Sequence, residues 1–504
     1  KRSQHEDGMD TVLKKRTMFI SVGIISSILF LYCTAYYPKY ALAASFLLLA
    51  FLVSLYIREK LFFVFIFLYP LMPTYFAFDP GGSLPLMTAG RLLLIYVILF
   101  DIAFNKDKFR KIKELKLNKE IKLIILSVTF VLFIYILNFF TYPNVESFKI
   151  LSSFLLENAI LGAYVFFRLG NSQDIEKAVR CFLFSALFIS LTGYVEFILD
   201  RNVFSYLDIV QSSGRQLLSS DSYTRLGENR IEGPFGHPLG YCNFLLMAIP
   251  MGIYKWQTSE NIKVKTGYFF VTVSLLINFL LTLSRGPMLA FFAGALFYFI
   301  LTNKRYKQIL FMLVIAFSGV FLVGLVARVV PGFVRNFFVS LIDAVFARTS
   351  TPGFGANSNA ASYRLYLFDL AKKLVTGNDI WLGRGMSFFR LNEVYDWVPG
   401  ISNTREIRIV SIDNFYILKY IEMGLVGLIS TLLFIFSLIY SSAVSFFRAK
   451  NREFYLCFIF IFISYFVSLF TVDDIGTMRF LCITTGIVSA NIASNRWKSE
   501  KNQS

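Results

Sequence analysis

Four short stretches of this 504-residue chain set chemically useful side chains beside glycine or proline. In R-I-E-G-P-F-G-H-P (230–238), Gly233, Pro234, Gly236 and Pro238 force a turn that carries Arg230 and His237. That turn is either a plain lead into a helix or a small surface site. In L-T-L-S-R-G-P-M (281–288), Arg285 stands between two apolar runs with little bulk beside it. Its charge either snorkels to a membrane interface or meets a ligand. In W-L-G-R-G-M-S-F-F (381–389), Gly383 and Gly385 flank Arg384, with Arg364 upstream. Such a pattern is either a turn or a backbone cradle for phosphate. The stretch S-I-D-N-F-Y-I-L-K-Y-I-E-M-G-L-V-G-L (411–428) carries Asp413 and Asn414, either reactive groups or helix caps, and Glu422 deeper in an apolar run. A carboxylate there calls for an Arg or a backbone donor as partner.

The distribution of cations points to phosphate. Stretches 200–237 and 328–411 hold twelve Arg and two Lys, whereas 105–122 holds seven Lys and one Arg. A loop that only needs charge has no use for the planar guanidinium fork; a phosphate site does. With two histidines, no H-E-x-x-H and no D-x-D, neither a metal site nor a cofactor is expected. Fixed arginines can meet the charge that grows on a departing diphosphate. For a proton acceptor the choices are Asp413, in surroundings that raise its pKa, and His237.

The elements that must position these residues are membrane helices. Hydrophobic residues make up 56% of the chain and charged residues 16%, with apolar runs long enough to span a bilayer. The expectation is an all-α, polytopic transmembrane bundle of fourteen helices: 17–36, 40–57, 61–78, 91–104, 123–140, 152–168, 179–199, 238–255, 267–284, 287–302, 309–327, 415–445, 454–472 and 475–494. Lys and Arg in the short connections put those, and both termini, in the cytoplasm. Segments 79–90, 141–151, 200–237 and 328–411 then face outward. The chain divides into a tail (1–16), N-terminal spans (17–199), a first outward loop (200–237), central spans (238–327), a large outward loop (328–411), C-terminal spans (412–494) and a tail (495–504). The large loop should fold as a small helical cap, with an amphipathic helix at 363–375 and Trp381 and Trp397 as surface anchors. The net charge of +18 follows from positive-inside bias, and nucleic acid is excluded as a partner. The five cysteines lie in apolar runs, so no disulfide framework is expected. The first apolar run follows Lys14, Lys15 and Arg16 and is long enough to be retained, without a cleavable signal pattern.

The succession R-x-x-G-x-F-x-H-P, then S-R-G opening a helix, a large outward loop, G-x-G, D-N-x-x-x-L and E-x-G-x-x-G resembles the O-antigen ligase/O-antigen polymerase (Wzy/WaaL-like) membrane family. The resemblance runs roughly over 180–494 and includes Met478-Arg479-Phe480. It implies a bacterial enzyme on the outer face of the cytoplasmic membrane that moves a glycan from undecaprenyl diphosphate to a sugar hydroxyl. Arg230 and Arg285, with Arg364 or Arg384, would hold the diphosphate, and the residue before Asn414 would act on the hydroxyl. Ligases of the family have His there; this chain has Asp413, which suits a polysaccharide polymerase, with a chain-length regulator as a partner. The alternatives are a ligase with another acceptor, or a flippase or transporter, for which the long loop is awkward. A SEDS-type glycosyltransferase has fewer helices and a different motif order.

Overall fold

The computed structural model describes residues 49–109, 118–207, 224–225, 228–302, 360–397, 406–409, 412–474 and 476–501. The chain forms two units, Lys1–Phe62 and Phe63–Ser504. Of the first, the described residues are helical over 49–56 and end in a 3₁₀ turn at Arg58–Lys60. Everything that follows concerns the second.

Its main helices are α1 (Ala89–Phe104), α2 (Lys119–Thr141), α3 (Val145–Arg168), α4 (Ser172–Leu199), α5 (Pro238–Thr258), α6 (Ile262–Leu281), α7 (Arg285–Leu301), α8 (Ala360–Leu374), α9 (Phe415–Arg448), α10 (Arg452–Ser468) and α11 (Met478–Lys501). Among the described residues α2, α3, α4, α6 and α9 are long and apolar enough to cross a membrane, and α7 and α11 carry shorter apolar stretches. The expected spans 17–36 and 309–327 and the first half of 40–57 lie outside the described residues.

Asparagine starts many of these helices. Asn144, Asn171, Asn261, Asn414 and Asn451 each accept a main-chain N–H of the first turn, satisfying donors that a helix leaves without partners. Small residues let helices approach closely, as expected where apolar packing alone cannot drive association. A methyl on Gly294 of α7 would fall 2.0 Å from Ser464 Oγ of α10, and one on Gly486 of α11 would fall 2.9 Å from the Gly162 carbonyl of α3.

Two expectations need correction. The helix read over 61–78 stops at Leu68, because Pro70 and Pro73 follow, and the chain turns into a short strand at Ala77–Phe78. Segment 141–151, read as a loop, is helical from Val145, where the Asn144 cap begins α3. The fold is otherwise all-α as expected; among the described residues the strands form three two-stranded antiparallel ribbons: β1 (Ala77–Phe78) with β2 (Met87–Thr88), β3 (Thr224–Arg225) with β4 (Glu228–Asn229), and β5 (Val394–Asp396) with β6 (Ile407–Ile409).

The described part of segment 328–411 is folded as a cap. Leu367 and Leu370 of α8, and Val375 just past its end, are buried together with Phe388, Ile409 and Ile412, against Ile417, Leu418 and Ile421 of α9. Trp381 and Trp397 stay at least half exposed.

Candidate active site

Arg230 is a brace for the turn between α6 and α7. Its Nε donates to the Thr282 carbonyl at 2.9 Å, and its Nη2 to Ser284 Oγ at 2.8 Å. Between those two acceptors Leu283 adopts φ +50°, a left-handed conformation that a non-glycine residue holds only when its surroundings enforce it. The R-I-E-G-P turn is itself fixed by α4: Glu196 accepts the N–H groups of Glu232 and Gly233 at 2.9 and 3.0 Å, and Asn202 donates to Glu232 Oε1 at 2.8 Å. Burial lifts the Glu232 carboxyl to about 7, against the opposing pull of Asn202 and Arg230.

Immediately after this braced turn stands Arg285, half-buried at the start of α7. Gly286 next to it packs on Thr471, since a Cβ there would lie 2.1 Å from Thr471 Oγ1. The neighbouring Phe470 carbonyl accepts the Asn414 side chain at 3.1 Å, and the Leu469 carbonyl accepts the Phe415 N–H at 3.0 Å. The short connection after α10 is therefore touched from one side by the S-R-G turn and from the other by the D-N pair. Two motifs far apart in sequence thus share one support.

Within the D-N pair the roles separate. Asn414 Oδ1 accepts the N–H groups of Tyr416 and Ile417, both at 3.1 Å, so Asn414 is the cap of α9. Asp413 is exposed in front of it. Glu422, for which an Arg or a backbone donor was expected, is paired instead with Lys419 one turn earlier, at 2.7 Å. The spacing Lys-x-x-Glu places both on one helix face, a signal present in the sequence but passed over. Asp473 and Asp474 follow on the same connection. Asp474 accepts the N–H groups of Thr477 and Met478 and starts α11; burial raises Asp473 to about 7.

The G-R-G stretch is not arranged as a phosphate cradle. The Arg384 N–H donates to the Ile421 carbonyl at 2.8 Å and the Gly385 N–H to the Glu422 carbonyl at 3.0 Å. Those carbonyls are released by a break in α9 at Gly424, where φ is 65° and ψ is −165°. Asn138 of α2 completes the junction, donating to the carbonyls of Leu382 (3.2 Å) and Glu422 (3.0 Å) and accepting from the Met386 N–H (2.9 Å). The Tyr142 hydroxyl donates to the Gly383 carbonyl at 2.6 Å. The Arg384 side chain pairs with Asp379 at 3.0 Å. Arg364 belongs to α8, but its side chain lies outside the described residues.

His237 caps α5: its Nδ1 accepts the Leu239 N–H at 3.0 Å. Burial, and secondly the Arg230 charge, lower its pKa to about 4. It is therefore neutral at pH 7, with the proton on Nε2, and is suited to donate a hydrogen bond rather than to take a proton. A cavity of about 1510 Å³ adjoins the site, walled by Tyr75, Tyr135, Phe415, Lys419, Glu422 and Asp473. Gly236 lies against Tyr75 and Asn414 precedes Phe415, so a neighbour of the His237 turn and a neighbour of the D-N pair stand in its wall.

The fold is that of a multi-pass membrane protein, and in it the turn that carries Arg285, braced by Arg230, and the Asp413-Asn414 pair rest on one set of helix ends. Residues 270–432 match the model of the O-Antigen ligase family (Wzy_C), and the match supports the Wzy/WaaL-like family and a membrane glycan-processing enzyme. No curated protein matches the chain.

Proposed function

We propose that the protein is a bacterial polysaccharide polymerase. It joins undecaprenyl-diphosphate-linked oligosaccharide repeat units on the outer face of the cytoplasmic membrane, with both termini in the cytoplasm and a chain-length regulator as partner. The observation that carries this reading is the pair of bonds from Arg230 to Thr282 and Ser284, which brings a second guanidinium to the turn that presents Arg285.

In the proposed reaction the acceptor hydroxyl oxygen attacks the anomeric carbon of the donor, and the bond from that carbon to the phosphate oxygen breaks. The diphosphate leaves with the bonding electrons, and its charge is met by Arg285 and, beside it, Arg230, without a metal. The hydroxyl proton passes to the Asp413 carboxylate. Asn414 fixes the helix start behind Asp413, and the Lys419–Glu422 pair lies one to two turns further along. Arg384, already paired with Asp379, stands at the margin of this arrangement.

The family match by itself suits a ligase equally, and it is Asp413 in the place of the ligases' His that favours polymerisation. Purified protein given a polyprenyl-diphosphate-linked repeat unit should yield a ladder of lengthening products on a gel. A single addition to a different acceptor indicates the ligase. Movement of donor between leaflets without any covalent product overturns both enzymatic readings.

A further inference from the structure

A second group of arginines lies at the same cavity, with Arg91 in its wall. Arg91 of α1 pairs with Glu157 at 2.8 Å and also donates to the Leu86 carbonyl. Arg479 of α11 approaches the other oxygen of the same carboxylate only to 3.9 Å. Its guanidinium carbon lies 5.5 Å from the centre of the Tyr69 ring and 4.7 Å from that of Phe480. Two cations thus share one anion, leaving a net charge of about +1 in a place where Arg91 is 9% and Arg479 4% exposed.

Hydrogen bonding there is incomplete. Among the described residues Arg91 Nε, Arg479 Nε and the Tyr69 hydroxyl are buried without a hydrogen-bond partner. Tyr69 and Arg479 both close on the start of α1: a Cβ on Gly90, the residue before Arg91, would lie 3.3 Å from the Tyr69 ring and 3.7 Å from Arg479 Nη1. Buried donors are nearly always satisfied, and buried charge is costly to leave uncompensated, so a cluster with one carboxylate for two guanidinium groups is suited to receive a further anion. Glu157 lies in the π-helical stretch Leu155–Ile160 of α3, a distortion that recurs at functional sites. Arg91 and Glu157 line the cavity that also reaches Phe415 and Asp473.

We infer that Arg91 and Arg479, set around Glu157, form a second phosphate-binding site, which holds the diphosphate of the lipid-linked acceptor. This rests on the polymerase reading, because chain growth requires two lipid-linked glycans at once and each carries a diphosphate. The Arg230–Arg285 turn holds the donor's diphosphate, and the cavity lined by Arg91 and Glu157 receives the acceptor's sugars. Glu157 keeps the two guanidinium groups together when no phosphate is bound and competes with it for them.

The test is titration of inorganic pyrophosphate into the full chain carrying Arg285→Gln, in nanodiscs of uncharged lipid, so that the donor site is weakened. Pyrophosphate should still bind. Adding Arg479→Gln should weaken binding by about tenfold or more, whereas adding Glu157→Gln should tighten it, an outcome that misfolding cannot produce. Binding indifferent to both changes overturns the site. Polyprenyl diphosphate should displace pyrophosphate, and nanodiscs containing phosphatidylglycerol should not; equal displacement by phosphatidylglycerol overturns the acceptor assignment in favour of a lipid headgroup. The two readings fail separately. Arg479-dependent binding in a protein that makes no ladder removes the polymerase and keeps the phosphate site, while a ladder without such binding does the reverse.

Discussion

Gly383 and Gly424 lock two stretches of main chain together. A Cβ on Gly383 would come within 2.4 Å of the Glu422–Met423 peptide, and one on Gly424 within 2.3 Å of Trp381. Both glycines have positive φ. Their reciprocal contact is what allows the carbonyls freed at the break in α9 to be met by the N–H groups of Arg384 and Gly385. Gly424→Ala should therefore lower stability on the order of 3 kcal/mol or more, from strain and overlap together. Thermal unfolding in detergent checks this, and a midpoint equal to wild type would show that the junction relaxes freely.

Replacing Arg285 with Lys keeps the charge and removes the paired N–H donors. Activity in the ladder assay should fall by about a hundredfold, the scale of losing one fixed donor to a developing oxyanion. Full activity in Arg285→Lys would mean that paired gripping of the diphosphate at this position is wrong.

Asp413 and Asn414 give opposite expectations. Asp413→Asn should lower the rate by about 10²–10⁴ and leave the unfolding midpoint in place, because the cap of α9 belongs to the next residue. Asn414→Ala should cost about 1 kcal/mol from the lost cap, with more from the Phe470 carbonyl left unmet. If Asp413→Asn retains its rate, the proton goes elsewhere.

His237 should leave a mark on stability against pH. Its folded pKa of about 4 lies below the ordinary 6.5, so the fold favours the neutral ring. That contribution is complete above about pH 6.5 and is lost as pH falls toward 4. Glu232, raised to about 7, works in the opposite direction, which makes the comparison with a variant the clean measurement. His237→Asn keeps a capping side chain without the titration. The gap in unfolding midpoint between wild type and this variant should narrow between pH 7 and pH 4.5, and a constant gap would exclude the shift.

Much of the bundle is legible from apolar run length alone. Helices α1, α2, α4, α5, α6 and α7 fall close to the expected spans because hydrocarbon thickness fixes how long such a run must be. Where polar residues open a helix, as in N-V-E-S-F-K at the start of α3, the same rule mistakes a capped first turn for a loop. The site is legible only in pieces. Arg230, Arg285 and the D-N pair can be noticed singly, but nothing in one sequence reveals that Gly286 and Asn414 rest on consecutive residues after α10. The G-R-G glycines show that something approaches closely; that it is the main chain of α9 rather than a ligand emerges only from the fold. Lys419 escapes notice because a buried cation in an apolar run is easily taken for a snorkelling one.

Asn138 has a wider consequence. It meets the Glu422 and Leu382 carbonyls from a helix that lies wholly outside the stretch matched to the O-antigen ligase family. The recognised stretch is thus not a self-sufficient folding unit: expressed as 270–432 alone, it would carry a broken helix whose bared carbonyls lack this donor. Loss of Asn138 in the whole chain should have the same local effect. What family comparison marks off as a domain is, physically, one half of a clasp whose other half was written more than a hundred residues earlier.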